Sequence, residues 1–383
     1  YGRVAKSSWT QAAAVTGPGR IAPGGLKNAL ARRPMPGLLD TLLGQEPAVA
    51  TLRRALAVDK VHHAYVFDGP DGVGKEMAAF GLAQALLCER RGTTVEGARG
   101  LFGPEPPTVF PTTEACGTCS ACTRSLLRPG EKRPVHPDLV VLERGLYEAS
   151  QIGRRTPETQ DISVDQVRTL VLARAAFGPH EGRAKVFIIR RAEELGISAA
   201  NALLKTLEEP GNRVHFLLLS SVPDRLLPTI RSRTQRLRFA PLPAVTVALI
   251  LEKEGKSKED ALRLSARSEG SLARARQLGD PAATATRDEF VARARDALRQ
   301  NSILPALAIA EEGKKEKAEL AVLLDALAIA FAEEGRSAAL AGEGDAADRA
   351  SVCFSRVLRA TRELDRNASP QLTVEALFLE LRG

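Results

Sequence analysis

With 383 residues, 44% of them hydrophobic and 26% charged, the chain has room for two or three domains and the make-up of an ordinary globular protein. Its longest apolar run, Leu320 to Ala332, is broken by Asp325 and is too short to span a bilayer, and no apolar stretch of signal-peptide length opens the chain. A cytoplasmic protein with no membrane contact is therefore expected. Of the net charge of +8, Arg3, Lys6, Arg20, Lys27, Arg32 and Arg33 supply +6 with no acidic residue among them, so the basic balance of the whole is no argument for nucleic-acid binding.

Residues 1–37 are rich in Gly, Ala and Pro and hold the only tryptophan, Trp9. They read as a leader with no fold of its own, ahead of a natural start near Met35; a basic arm gripping phosphates is the alternative. Val49, Leu52 and Leu56 then fall at helical spacing over 46–58, followed by a short apolar strand, Ala64-Tyr65-Val66-Phe67. A glycine-rich turn leads into a helix from Lys75 to about Cys88. The Gly-, Pro- and Thr-rich stretch from Arg91 to Thr113 reads as a surface insertion. Four more apolar runs predict strands at 138–142, 186–189, 215–220 and 234–239, separated by helices over 165–175 and 198–208. Strands alternating with helices imply a parallel α/β sheet covered on both faces. After Pro241-Leu242-Pro243 the strands stop. Helices are predicted at 244–254, 258–267, 271–278, 286–299, 303–311, 316–334, 346–365 and 372–381, with breaks at Gly255, Gly279-Asp280-Pro281, Gly335, Gly342-Glu343-Gly344 and Ser369-Pro370. The expected division is a core over 38–240, a small helical lid over 241–280 and an all-helical unit over 281–383.

Gly69-Pro70-Asp71-Gly72-Val73-Gly74-Lys75 lies between a strand and a helix, the setting of a phosphate-binding loop. Backbone amides can wrap phosphate oxygens there, the helix N-terminus favours anions, and Lys75 can reach terminal phosphates. The candidate phosphate ligands are thus Gly69, Gly72, Gly74 and Lys75. Two partners of such a loop are missing. The Ser or Thr that would ligate Mg²⁺ is replaced by Glu76. The strand Lys185 to Ile189 runs into Arg190 and Arg191 where carboxylates would hold the metal and orient a water. Glu193 and Glu194 lie past the strand end and are expected to point elsewhere. Without those groups γ-phosphate transfer loses its metal clamp and its oriented water, so hydrolysis by this chain alone and a bound Mg²⁺ are not expected. Occupancy by ATP is left open.

Five cysteines in a chain without a signal peptide point to metal and away from disulfides. Cys116-Gly117-Thr118-Cys119-Ser120-Ala121-Cys122 sets three thiols at the spacing of C-x2-C turns, which supply zinc ligands in a tight knuckle. A closed tetrahedral site needs a fourth. Cys353 sits on an apolar helix stripe and reads as core.

Three strings carry a family resemblance: His63-Ala64-Tyr65-Val66-Phe67, Asn201-Ala202-Leu203-Leu204-Lys205-Thr206-Leu207-Glu208-Glu209-Pro210, and Leu226-Leu227-Pro228-Thr229-Ile230-Arg231-Ser232-Arg233. Together with Ser369-Pro370-Gln371-Leu372-Thr373-Val374-Glu375-Ala376-Leu377, they make the chain, from about Leu43 onward, resemble the bacterial clamp-loader subunits of DNA polymerase III. The resemblance implies a P-loop AAA+ core with a parallel sheet, a helical lid and a C-terminal collar that joins five subunits in a ring. It implies a protein that helps load a sliding clamp onto primed DNA, touching DNA through backbone phosphates. Its partners would be motor (gamma/tau) and delta subunits.

Within that family the paired lesions at Glu76 and Arg190 fit the delta-prime side, a stator with no ATPase or polymerase activity of its own inside a polymerase holoenzyme. The lid reads Gly270-Ser271-Leu272-Ala273-Arg274, one residue out of register for a nucleotide-sensing arginine, or about 100° around a helix. The family's Ser-Arg-Cys appears as Ser232-Arg233-Thr234, and the resemblance assigns Arg233 to the γ-phosphate held by a neighbouring subunit. It also implies that Cys88 completes a structural zinc site with Cys116, Cys119 and Cys122, with His136 as the alternative fourth ligand. Two other readings stand beside this one: an ATP-hydrolysing gamma/tau-type subunit, and a zinc-containing AAA+ scaffold outside replication.

Overall fold

The computed structural model describes residues 37–95, 99–100, 103–104, 108–109, 111, 113–128, 130–152, 161–300, 308–309, 317–365 and 368–382. The expected leader and most of the helix expected at 303–311 lie outside the described residues. The chain divides into two compact units, Tyr1–Ala275 and Arg276–Gly383.

In the first unit, α1 (Glu46–Ala57) turns Ala48, Val49, Leu52 and Leu56 inward. β1 (Ala64–Asp68) is buried along its whole length. α2 (Lys75–Leu87) is buried nearly all round, which is why its sequence has no polar face. Gln84 on α2 makes this enclosure tolerable: its amide donates to the Cys122 carbonyl at 3.2 Å and accepts from the Leu38 N–H at 3.3 Å. The stretch expected as a surface insertion carries two short antiparallel ladders, Thr94–Val95 with Thr108–Val109 and Arg99–Gly100 with Gly103–Pro104.

α3 (Ser120–Arg124) follows, then β2 (Leu139–Leu142). The helix expected over 165–175 forms as α4, made of Val164–Gln166, a π-helical stretch Val167–Leu172 and Ala173–Ala175. Ser163 caps it through the Gln166 N–H. The widened turns keep Val167, Leu170 and Val171 all buried.

β3 (Lys185–Ile189) and β4 (Val214–Ser220) flank α5 (Ile197–Glu208), which stops short of Pro210. α6 (Pro228–Arg231) leads into β5 (Gln235–Arg238), an edge strand with Arg236 and Arg238 exposed. The sheet order is β2-β3-β4-β1-β5, and all pairs are parallel. Successive strand residues alternate faces. Val66, Val140, Phe187, Ile189, Phe216 and Leu218 form one core with the buried faces of α4 and α5. Tyr65, Phe67, Val186, Ile188 and Leu217 are equally buried on the other face, where α2 contacts β1, β3 and β4.

α7 (Ala244–Lys253) and α8 (Lys258–Arg267) pair with each other, and α9 (Leu272–Leu278) begins beside the glycine loop. In the second unit, Asp280 caps α10 (Pro281–Arg299) by accepting from the Ala282 N–H at 3.0 Å, which starts that helix five residues before the expected position. α11 (Lys317–Ala341), α12 (Gly344–Asp365) and α13 (Pro370–Arg382) complete a bundle around Phe290, Leu323, Leu327, Val357, Leu364 and Phe378. Gly335 does not break α11. A Cβ there would lie 3.4 Å from Ala350 Cβ, so the glycine sits inside the helix where α12 comes closest. Cys353 packs against this core.

Candidate functional site

The glycine loop is shaped by close approach. Gly74 opens α2 with φ +104 and Gly72 has φ +75, values that favour glycine. A Cβ on Gly69 would overlap the Phe239 carbonyl oxygen. Buried Gln45 fastens the loop to the end of β5, donating to the Val73 carbonyl at 3.2 Å and to the Ala240 carbonyl at 2.7 Å.

Lys75 is 7% exposed, and its ammonium is turned onto its own loop. It donates to the Gly69 carbonyl, to the Pro70 carbonyl at 2.8 Å and to Asp71 Oδ1 at 3.4 Å. Burial lowers its pKa, opposed by Asp71, Glu193 and Asp68. The tip of the loop is covered as well: the Gly72 carbonyl accepts from the Leu272 N–H at 3.1 Å, and a Cβ on Gly72 would come within 2.6 Å of Ala273 and 2.7 Å of Ser271 Oγ.

Beside the glycine loop's helix, at the end of β3, a guanidinium lies between two carboxylates. Arg190 leaves the end of β3 and pairs with Glu76 on the first turn of α2 and with Glu143 after β2 at 2.9 Å. Its guanidinium is 5.8 Å from the Phe80 ring centre. Burial works against the Arg190 charge, but Glu76 and Glu143 outweigh it and hold its pKa above the ordinary arginine value.

Arg191 takes a left-handed backbone (φ +45) and pairs with Glu194 at 3.2 Å. Glu193 turns to the end of β4, where its Oε1 accepts from the Ser221 N–H at 3.1 Å and hydroxyl at 2.7 Å. Arg274 pairs with Glu269 at 3.0 Å.

Arg233 follows α6 at the surface of the unit. Its Nε donates to Glu208 Oε1 at 2.5 Å, and one terminal nitrogen donates to the Thr229 carbonyl at 2.9 Å and to Ser232 Oγ at 3.2 Å. The side chain remains about one-third exposed.

Four cysteines converge beneath α2. Cys88, at its end, meets Cys116, Cys119 and Cys122, and all four sulfurs lie within 4.8 Å of one another, fully enclosed. Cys116 Sγ is 3.9 Å from Cys122 Sγ, and Cys119 Sγ is 4.0 Å from Cys88 Sγ. Four sulfurs about 2.3 Å from a tetrahedral ion would be about 3.8 Å apart, so the donor set fits one. Backbone N–H groups of Cys116 and Cys119 point at the sulfurs of Cys88 and Cys116, each at 3.3 Å, as thiolates require.

Without a cation the thiols cannot share this space as anions. Hydrogen bonds with Cys122 and Cys88 lower Cys119, those with Cys119 and Cys88 raise Cys122, and Cys88 is pushed up to about 11, first by its hydrogen bond with Cys119. The four cysteines are therefore placed to bind a metal ion. His136, the alternative ligand, lies outside the cluster; its Nδ1 accepts from the Asp138 N–H at 3.1 Å.

A parallel sheet ordered β2-β3-β4-β1-β5, a glycine loop between β1 and α2, and a helical pair behind β5 define a P-loop unit of the AAA+ type. The sequence profile described as DNA polymerase III, delta subunit, matches residues 44–101 and 105–243, just over half the chain. The chain belongs to that family and is a clamp-loader AAA+ protein.

Among curated relatives, the DNA polymerase III subunit delta' of Pseudomonas aeruginosa is 37% identical over 211 residues, 53% of this chain and 52% of that protein. The DNA polymerase III subunit gamma/tau of Mycobacterium tuberculosis is 35% identical over 238 residues, 61% of this chain and 35% of that protein. The chain thus spans about half or less of the length of these relatives. A crystal structure of a DNA polymerase III gamma subunit-related protein from Thermotoga maritima aligns over 88% of this chain and 98% of that one, with TM-score 0.44 and 17% identity. No described helix is long and apolar enough to cross a membrane.

Proposed function

We propose that this chain is the delta-prime-type stator of a clamp loader, a subunit that hydrolyses no ATP itself and supplies Arg233 to a nucleotide held by a neighbour. The observation that carries this reading is the Glu76–Arg190–Glu143 triad. It sets Glu76 and Arg190 where a working loop has metal ligands, while Lys75 donates to its own loop carbonyls. A site so arranged lacks both the metal clamp and the free lysine that in-line phosphoryl transfer uses. Arg233, by contrast, lies at the surface, about one-third exposed and paired with Glu208. An arginine supplied in trans stabilises the charge that develops on a transferring phosphoryl group.

The reading extends to the assembly. Motor subunits of gamma/tau type and a delta subunit complete a five-membered ring, the helices of 281–383 act as its collar, and the complex opens a sliding clamp around primed DNA in the cytoplasm. The four-cysteine cluster takes a structural zinc, closed to substrate because it leaves no open coordination position. The deciding experiment reconstitutes the complex and compares wild type with Arg233→Ala. A fall in clamp- and DNA-stimulated ATPase of at least about a hundredfold at the affected site is expected; an unchanged rate rejects the trans-arginine role.

The 35% identity to a gamma/tau subunit favours a second reading, an ATP-hydrolysing motor. It requires ATPase activity from the purified chain that disappears in Lys75→Ala. On the first reading the purified chain shows none.

A further inference from the structure

We infer that Glu208 is the positioning residue for Arg233, a fixed carboxylate that aims the guanidinium before any nucleotide is met. This rests on the trans-arginine reading above and adds a second residue to it.

The two ends of the arginine are held by different elements. Its backbone is set by α6: the Arg233 N–H donates to the Ile230 carbonyl at 3.1 Å, and Ile230 is fully buried. Its tip is set by α5. Glu208 is the last residue of that helix, whose Leu203 and Leu207 are locked in the sheet core. The carboxylate therefore stands on a rigid support, as an orienting group must.

The division of hydrogen bonds gives each edge of the guanidinium a role. Glu208 takes the side edge, accepting from Nε and pairing with one terminal nitrogen. The other terminal nitrogen rests on neutral acceptors, the Thr229 carbonyl and Ser232 Oγ. Charged acceptors form the stronger bonds. An arriving phosphate displaces the neutral contacts of the second nitrogen, while the Glu208 contact on the other edge remains. Among the described residues Glu208 pairs with no other cation. The next carboxylate, Glu209, at the helix C-cap, makes no ion pair with Arg233, which gives an internal control.

The test uses the complex reconstituted with its cognate motor and delta subunits, assembly being checked by gel filtration. Steady-state ATPase with clamp and primed DNA is measured for Glu208→Ala, Arg233→Ala, the double variant and Glu209→Ala. Glu208→Ala is expected to lower kcat roughly tenfold, the scale on which orienting partners act, with KM for ATP within about twofold. The double variant should match Arg233→Ala alone, because the pair acts as one unit, and Glu209→Ala should match wild type.

An unchanged or raised kcat in Glu208→Ala overturns the inference, as does a loss that adds to that of Arg233→Ala. If Arg233→Ala itself is silent, the trans-arginine reading falls, which is a different result from a silent Glu208→Ala beside a damaged Arg233→Ala. Should Glu208→Ala fail to assemble, Glu208→Gln keeps the shape and removes the charge, and the same comparisons apply.

Discussion

Arg190 balances the charge of the two carboxylates between which it lies. Glu76 and Glu143 would repel each other and any phosphate if left alone. Placed between them, the guanidinium neutralises both and ties α2 to the ends of β2 and β3. Removing only the cation strands two partly buried carboxylates. Arg190→Met is expected to destabilise the protein by about 2 kcal/mol, less than a fully buried pair because Glu76 and Glu143 keep about a third of their side chains exposed. Glu76→Gln added to Arg190→Met should restore part of the loss. Urea unfolding of the two variants checks this, and equal stability of Arg190→Met and wild type would show that the triad holds nothing together.

Single elements are held by polar anchors that periodicity does not reveal. Asp138, fully buried at the start of β2, accepts from the backbone N–H groups of His180, Glu181 and Gly182 at 2.6, 2.9 and 2.7 Å. Burial pushes its pKa up, but the three donors prevail and hold it below the ordinary value. Its stabilising effect is therefore complete above about pH 4 and is lost as pH falls through the lowered folded value. Asp138→Asn should cost roughly 2 kcal/mol at neutral pH, and the gap between the two proteins should close in acid; a constant gap from pH 7 to pH 3 would contradict the charge argument.

The contact between the glycine loop and the start of α9 has its own test. Gly72→Ala needs an unfavourable φ and pushes a methyl into Ala273 and Ser271. A loss of about 1–3 kcal/mol by urea unfolding is expected. What was legible in the sequence at this scale, and what was not, follows from range. The strands and the glycine loop were readable because continuous apolar runs and turn chemistry are local. The lesion at Arg190 was readable for the same reason. Its pairing with Glu76 and Glu143 was not, because those contacts exist only once α2 and β2 lie beside β3. Gly335 was read as a helix break because its reason, the approach of Ala350, lies in another helix.

At the scale of the whole molecule, each unit carries a core of its own, one built on the sheet with α4 and α5, the other on the helices of the second unit. The four cysteines belong wholly to the first, joining the end of α2 to α3, with Glu89 accepting from the Ala121 N–H at 3.1 Å across the same junction. Metal removal is thus a perturbation of one unit. If zinc fills the cluster, the purified protein contains one ion per chain, and its binding energy is part of the folding energy of that unit. A strong chelator, or Cys119→Ser, leaves thiols that cannot all ionise in one enclosed space. The unfolding transition of the first unit should then fall by roughly 10 °C. The transition of the second unit, whose core holds no ligand of the cluster, should stay where it is. Calorimetry with and without chelator separates the two, and near-ultraviolet signals assign them: Tyr65 and Tyr147 lie in the first unit, while the second has no tyrosine or tryptophan. A chelator that moves neither transition in zinc-replete protein would mean that the cluster is held by packing alone. Both transitions moving together would mean that the units unfold as one.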